Sequence, residues 1–166
     1  MEYLNFNGKK YLIFGASSGI GKQVAFQLSQ LGARLVLVGR NEEKLQETLE
    51  MLDGDGHNIL ICDVSDFSAA QNAVKTAVSM DNIKLDGCVF SAGIYAMLPL
   101  GAVTEEKINK IFATNIVSMM AIAKAFSSKR ISNNGASFVS VSSRAALLPR
   151  SEERRVGKEC TTGCSS

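Results

Sequence analysis

Glycines 15, 19 and 21 are the residues of this sequence best suited to hold a charged ligand. They stand in Phe14-Gly15-Ala16-Ser17-Ser18-Gly19-Ile20-Gly21, directly after the apolar run Tyr11-Leu12-Ile13-Phe14 and directly before a helical pattern. In the spacing G-x-x-x-G-x-G, glycine lets the chain reverse tightly, lets a pyrophosphate approach bare backbone, and lets the helix pack close to the strand. The helix N-terminus then adds unpaired N–H groups and the positive end of its dipole. An ordinary strand-to-helix turn would use the same glycines, but their position between an apolar strand and a helix favours phosphate binding. A P-loop fails: the pattern ending at Gly21-Lys22 needs glycine where Ala16 stands and a hydroxyl where Gln23 stands.

The exit of the second apolar run, Leu35-Val36-Leu37-Val38, is Gly39-Arg40, with no acid before Glu42. A carboxylate at this place would accept hydrogen bonds from the ribose 2′-OH of NAD. A guanidinium instead clamps a 2′-phosphate in two-point fashion, so NADP(H) is expected over NAD(H). The alternative for Arg40 is a solvated residue at a strand exit. Asn115 follows Ile111 and Phe112 and precedes Met119 at helical spacing, which puts an amide on an apolar, core-facing stripe. Such an amide needs partners, which backbone groups of the core can supply.

The other chemically capable residues read more plainly. Cys62 and Cys88 sit in apolar runs and are expected as small buried hydrophobes, and His57 as a loop or strand-edge residue. Cys160 and Cys164 have no histidine or second cysteine pair near them, so no metal site is expected.

Short β-rich runs that alternate with longer helical patterns must position these groups. Strands are expected over Tyr11–Phe14, Leu35–Val38, Ile59–Ile61, Leu85–Phe90 and Phe138–Val141. Helices are expected with faces Ile20/Val24/Leu28/Leu31, Leu45/Leu49/Leu52, Ala70/Val74/Ala77, and Ile108/Ile111/Phe112/Met119/Ile122/Phe126. Asn41, Asp66 and Thr104 are their candidate caps. Strands without polar alternation indicate a parallel sheet covered on both faces. Right-handed crossovers then give an α/β, Rossmann-like, doubly wound sheet, expected in the strand order 3-2-1-4-5.

The chain of 166 residues is 46% hydrophobic and 20% charged, a balance that buries one core. Eighteen basic against sixteen acidic residues leave a net charge of +2, spread without a basic stripe. Nucleic acid and anionic membrane are therefore disfavoured as partners, and a small molecule is expected. There is no basic-then-apolar leader and no apolar run long enough to span a bilayer, so a cytoplasmic protein is expected.

With these elements placed, the chain from Gly8 to about Ala146 resembles the short-chain dehydrogenase/reductase family. The glycine turn resembles the family's T-G-x-x-x-G-x-G, with Phe14 where threonine is usual. Cys62-Asp63-Val64 resembles the D-V pair that closes the third strand, and Ser91-Ala92-Gly93 resembles N-A-G after the fourth, with Ser91 for asparagine. Asn115 matches the helix asparagine that holds a proton-relay water, and Val141-Ser142-Ser143 matches the strand end that presents the catalytic serine. The resemblance selects Ser143 over Ser142 as the substrate-orienting hydroxyl; either could instead cap the strand.

It further implies that Gly15, Ser17, Ser18, Gly19, Ile20 and Gly21 hold the pyrophosphate and Arg40 the adenosine phosphate. Asp63 and Val64 would meet the adenine, and Ser91, Ala92 and Gly93 the adenosine and nicotinamide side. The implied reaction is hydride transfer between NADP(H) and a small carbonyl or alcohol in a homo-oligomeric enzyme.

The family's proton donor, a tyrosine with a lysine four residues on, would fall near Val156 and Cys160, yet the last tyrosine is Tyr95. Residues 150–166 lack Leu, Ile, Met, Phe, Tyr and Trp, and RSEERRVGKEC (150–160) resembles a translated sequencing adapter. The expectation is a Rossmann domain over residues 1–148, short of the family's last strands, with a disordered artefactual tail over 149–166. Such a chain is catalytically incomplete. Its alternative role is a non-catalytic dinucleotide-binding fragment or sensor, of undecided oligomeric state.

Overall fold

A computed structural model describes residues 5–96 and 98–143. The strands are β1 (Lys10–Phe14), β2 (Arg34–Gly39), β3 (Asn58–Ile61), β4 (Leu85–Phe90) and β5 (Ser132–Ser140). They alternate with α1 (Gly19–Gln30), α2 (Glu42–Leu49), α3 (Phe67–Ser79), and a long helical passage between β4 and β5. That passage comprises α4 (Glu105–Phe112), a π-helical segment (Ala113–Val117) and α5 (Ser118–Phe126). The strands form one parallel sheet of order β3-β2-β1-β4-β5, as expected.

Apolar residues on both strand faces create two cores. Leu12, Phe14, Val36, Val38, Cys88 and Phe90 pack against α3 and α5. Ile13, Leu35 and Leu37 pack against α1 and α2 on the other side. Cys62 and Cys88 are buried free thiols, as expected. The caps are also where the sequence puts them: Asn41 accepts from the Lys44 N–H, Asp66 from that of Ala69, and Thr104 from that of Lys107. The proposed tail over 149–166, with Cys160 and Cys164, lies outside the described residues.

Two expected helix faces are corrected. In α1 the buried line is Gly21, Ala25 and Ser29, while Ile20 is 57% exposed and Val24 and Leu28 only partly covered. Small residues let α1 lie close on the sheet, and the larger ones flank that contact. In the long passage, Ile108 and Phe112 are exposed and no residue of α4 is buried. A π-turn takes one more residue than an α-turn and so rotates the face that follows it. From within the π segment onward the line facing the core runs through Thr114, Ser118, Ala121, Ile122, Ala125 and Phe126. Buried Ser118 donates to the Thr114 carbonyl at 2.5 Å, which satisfies its hydroxyl inside the helix.

β1 opens on Lys10, only 1% exposed. Its ammonium donates to the Ala77 carbonyl at 2.6 Å, in the last turn of α3, and pairs with Asp81 just beyond that helix. A cation at a helix C-terminus is favoured by the dipole, and the carboxylate neutralises what burial would otherwise penalise.

Among the described residues, no helix is long and apolar enough to cross a membrane.

Candidate functional site

The register defines the C-terminal edge of the sheet. Leu60 pairs with Val38, Val38 with Phe14, Phe14 with Phe90, and Phe90 with Ser140, one row across all five strands. Backbone bonds carry the ladder one step beyond it: Cys62 N–H to the Gly39 carbonyl, Gly15 N–H to that of Val38, Ser91 N–H to that of Phe14, and Val141 N–H to that of Phe90. α1 leaves β1 towards β2, whereas β4 returns on the other flank of β1. The crevice between these departures is the switch point of the sheet, where such folds bind ligands.

A cavity of about 310 Å³ fills that crevice. The turn after β1 contributes Gly15, Ser17, Ser18, Gly19 and Ile20. The exit of β2 contributes Val38, Gly39 and Arg40, and that of β3 contributes Cys62 and Val64. The exit of β4 contributes Ser91 through Ile94, and the π segment contributes Thr114.

The glycines act separately. Gly15 has φ +80°, and a Cβ there would stand 2.7 Å from the Ala92 nitrogen, so both conformation and space require glycine. Gly19 has φ +55° and nothing within 4 Å of where its Cβ would be, which leaves bare backbone facing open space. Gly21 is buried in α1, and a Cβ there would collide with the Gly15 carbonyl oxygen and the Ser91 hydroxyl. It is therefore a packing glycine, outside the cavity lining.

Ser18 precedes α1 in extended conformation, its side chain makes no capping bond, and the first turn carries no acid. The N-terminus of α1 thus retains its donors and its positive dipole end for an anion. The turn is braced from outside: Thr48 of α2 donates to the Ala16 carbonyl at 3.1 Å.

The remaining residues singled out by sequence fall into place unevenly. Ser91 donates its hydroxyl to the Phe14 carbonyl at 2.8 Å, latching the ends of β4 and β1. Asp63 is exposed between the two lining residues Cys62 and Val64 but does not itself line the cavity. Its Oδ1 accepts from the Ser65 N–H at 3.0 Å and the Ser65 hydroxyl at 2.8 Å. These bonds, with weaker help from the charges of Arg40 and Lys110, hold the carboxyl below the usual range. Burial first, then the neighbouring carboxylates of Asp63 and Asp66, push the Cys62 thiol up, so it lines the cavity as a neutral group.

Asn115 lies in the π segment, half-buried. Its Oδ1 accepts from the Ile94 N–H at 2.8 Å and its Nδ2 donates to the Ile94 carbonyl at 2.7 Å. The amide is thus engaged by backbone, one of the two situations open to it from sequence. Ser142 and Ser143 are exposed just past the end of β5, and neither lines the cavity.

Sequence reasoning missed Thr114 and Ile94, whose positions depend on the π segment and on the loop it holds. It also passed over Lys44, which with Ser17, Ser18, Arg40 and Asn41 lines a second concavity beside the first.

The sequence profile of the short chain dehydrogenase family matches residues 9–154. The chain is 30% identical over 149 residues to an L-xylulose reductase of Caenorhabditis elegans, covering 87% of this chain and 57% of that protein. It is 32% identical over 145 residues to an uncharacterized oxidoreductase of Thermotoga maritima, with the same two coverages. It thus spans little more than half the length of these curated relatives. A crystal structure of a short chain dehydrogenase from Burkholderia cenocepacia in complex with NADP superposes with a TM-score of 0.83 at 26% identity, over 88% of this chain and 60% of that one. Profile, relatives and sheet order agree, and the chain belongs to the short chain dehydrogenase family.

Proposed function

We propose that this chain is the dinucleotide-binding part of an oxidoreductase that takes NADP(H) in preference to NAD(H) and acts on a small carbonyl compound or the matching alcohol. The observation that carries the reading is the cavity at the switch point, where the glycine turn, the Arg40 exit, the Cys62–Val64 exit and the Ser91–Gly93 exit converge.

The residues present fit such a group. Bare backbone at Gly19 and the uncapped N-terminus of α1 receive the pyrophosphate, with Ser17 and Ser18 as hydroxyl donors, while Gly15 and Gly21 keep strand and helix close enough to form the turn. Arg40 receives the 2′-phosphate. Val64 and Cys62, which line the cavity beside Asp63, would give the adenine an apolar, neutral wall, and Ser91 through Gly93, on the same cavity, would face the nicotinamide side. The bound cofactor supplies the hydride chemistry. Asn115 fixes Ile94 and so the loop after Gly93, and Ser143 orients the substrate oxygen. A crystal structure containing NADP among similar folds supports the cofactor class.

Titration of the chain with NADPH and NADH, followed by fluorescence, tests the reading. Tighter NADPH binding is expected, and Arg40→Asp reverses the order. Unchanged relative affinities in that variant would remove the preference for NADP.

A second reading, a non-catalytic dinucleotide-binding chain, is favoured by one sequence fact: no tyrosine follows Tyr95, so Tyr-x-x-x-Lys is missing after β5. Reducing a ketone requires an acid to protonate the developing alkoxide. NADPH binding without turnover across a carbonyl panel identifies this second reading, and turnover rejects it.

A further inference from the structure

Beside the cofactor cavity lies a second concavity of about 490 Å³, lined by Ser17, Ser18, Arg40, Asn41 and Lys44. It shares Ser17, Ser18 and Arg40 with the first cavity, so the two are neighbours along the same turn and strand exit. Two cations, two hydroxyls and an amide line it, and no carboxylate does.

That charge distribution is not obvious from the sequence, where Glu42 and Glu43 stand between Asn41 and Lys44. Helical geometry sorts them. Asn41 caps α2 and accepts from the Lys44 N–H at 2.8 Å, which puts Lys44 one turn on from the cap and on its side of the helix. Glu42 and Glu43 are rotated off this side and do not line the concavity.

The placement of Lys44 is also anchored. In the next turn Thr48 donates both to the Lys44 carbonyl and to the Ala16 carbonyl of the glycine turn. Leu45 is fully buried, with its methyl 3.4 Å from where a Gly39 Cβ would be. The first turn of α2 is thereby tied to both walls of the concavity.

We propose that Lys44 is a second specificity-determining cation, acting with Arg40 on the phosphate monoester carried by the adenosine ribose. The inference rests on the NADP reading above. A phosphate monoester carries about −1.5 to −2 charge at neutral pH, which a single guanidinium cannot neutralise. Arg40 supplies the planar fork and Lys44 the compact point charge, with Ser17 and Ser18 as neutral donors.

The test compares adenosine 2′,5′-bisphosphate with adenosine 5′-monophosphate by calorimetry on the full chain at low ionic strength. The wild type binds the bisphosphate more tightly. Lys44→Gln narrows the preference about three- to tenfold and leaves the monophosphate unchanged, as for a partly exposed charge-assisted contact. Lys44→Arg retains most of the preference, and the Lys44→Gln chain depends less steeply on salt.

A wild-type preference that Arg40→Ser abolishes but Lys44→Gln leaves intact overturns the role of Lys44 and spares the NADP reading. A wild type that binds both nucleotides equally overturns the NADP reading itself. Equal loss of both ligands in Lys44→Gln, with a lowered melting temperature, makes Lys44 structural and also overturns the proposal.

Discussion

Asn115 and Ile94 are joined by two hydrogen bonds that run in opposite directions, 2.8 Å into the amide oxygen and 2.7 Å out of the amide nitrogen. An asparagine side chain here completes the backbone of a loop as a neighbouring strand would. The loop so held follows Ser91-Ala92-Gly93 at the wall of the candidate cofactor cavity.

Asn115→Leu removes both bonds at similar volume and leaves two partly buried backbone groups without partners. The expected destabilisation is about 1–3 kcal/mol, read from urea unfolding, with faster amide exchange at Ile94. Asn115→Asp keeps the acceptor for the Ile94 N–H but turns lone pairs towards the Ile94 carbonyl. It therefore recovers at most part of the loss.

Gly15→Ala forces a Cβ against the Ala92 backbone at a φ that alanine adopts at a cost. Strain alone costs about 1–3 kcal/mol, and the clash displaces the loop after β4. Stability and nucleotide affinity fall together in this variant. Gly19→Ala has open space around its Cβ, so it keeps more stability while still obstructing the bare backbone offered to a phosphate. Comparing melting temperature with nucleotide Kd for the two variants separates packing from ligand approach.

Ser91→Ala breaks the hydroxyl bond to the Phe14 carbonyl, a latch between strand ends far apart in sequence. A loss of about 1 kcal/mol is expected from thermal or urea unfolding.

Asp81 is expected to contribute to the acid limb of stability. Burial raises its carboxyl, but hydrogen bonds from the Lys10 ammonium and the Ile83 N–H, with the charges of Lys10 and Arg34, outweigh burial and hold it below the ordinary range. A carboxylate with a folded pKa below its unfolded value of about 3.9 contributes stability above that value, and the contribution is lost as pH falls through the folded pKa. The Asp63 carboxyl, also held low, loses stability in the same direction. Unfolding free energy measured from pH 6 to pH 2 thus falls below about pH 4, and Asp81→Asn flattens part of the fall.

The two halves of that ion pair are unequal. Asp81→Ala leaves the Lys10 ammonium buried with only the Ala77 carbonyl, a loss of about 3 kcal/mol or more. Lys10→Met leaves the more exposed carboxylate to water and costs less. Equal losses in urea unfolding would contradict this account.

Much of the fold was legible because its signals are local. An apolar run that ends in spaced glycines, and a polar cap ahead of a helical period, are properties of ten or fifteen consecutive residues. They placed β1, the glycine turn and α1, and the caps Asn41, Asp66 and Thr104. Alternation of strand and helix, with the handedness of crossovers, was enough for a doubly wound parallel sheet, and the expected order 3-2-1-4-5 is the one observed. The resemblance to the short chain dehydrogenases singled out Gly15, Ser17 through Ile20, Arg40, Val64 and Ser91 through Gly93, and the strand exits of the parallel sheet bring these residues to one cavity at its edge.

What needed the tertiary structure depends on partners remote in the chain or on the phase of a helix. Lys10 opens an otherwise apolar strand, and its burial is decided by Ala77 and Asp81, 67 and 71 residues away. In the long passage no residue of α4 is buried and the core-facing line begins at Thr114 in the π segment, a change of phase that a regular 3.6-residue period cannot express. Lys44 joined Arg40, and Glu42 and Glu43 did not, because Thr48 and Leu45 fix which side of α2 meets the glycine turn. By itself the sequence determined the family, the sheet and the edge that carries the candidate cavity, since these rest on short-range pattern. Only the packed chain decided which polar side chains are spent on holding the backbone and which face the cavity, since a side chain's partners are set by the elements it folds against.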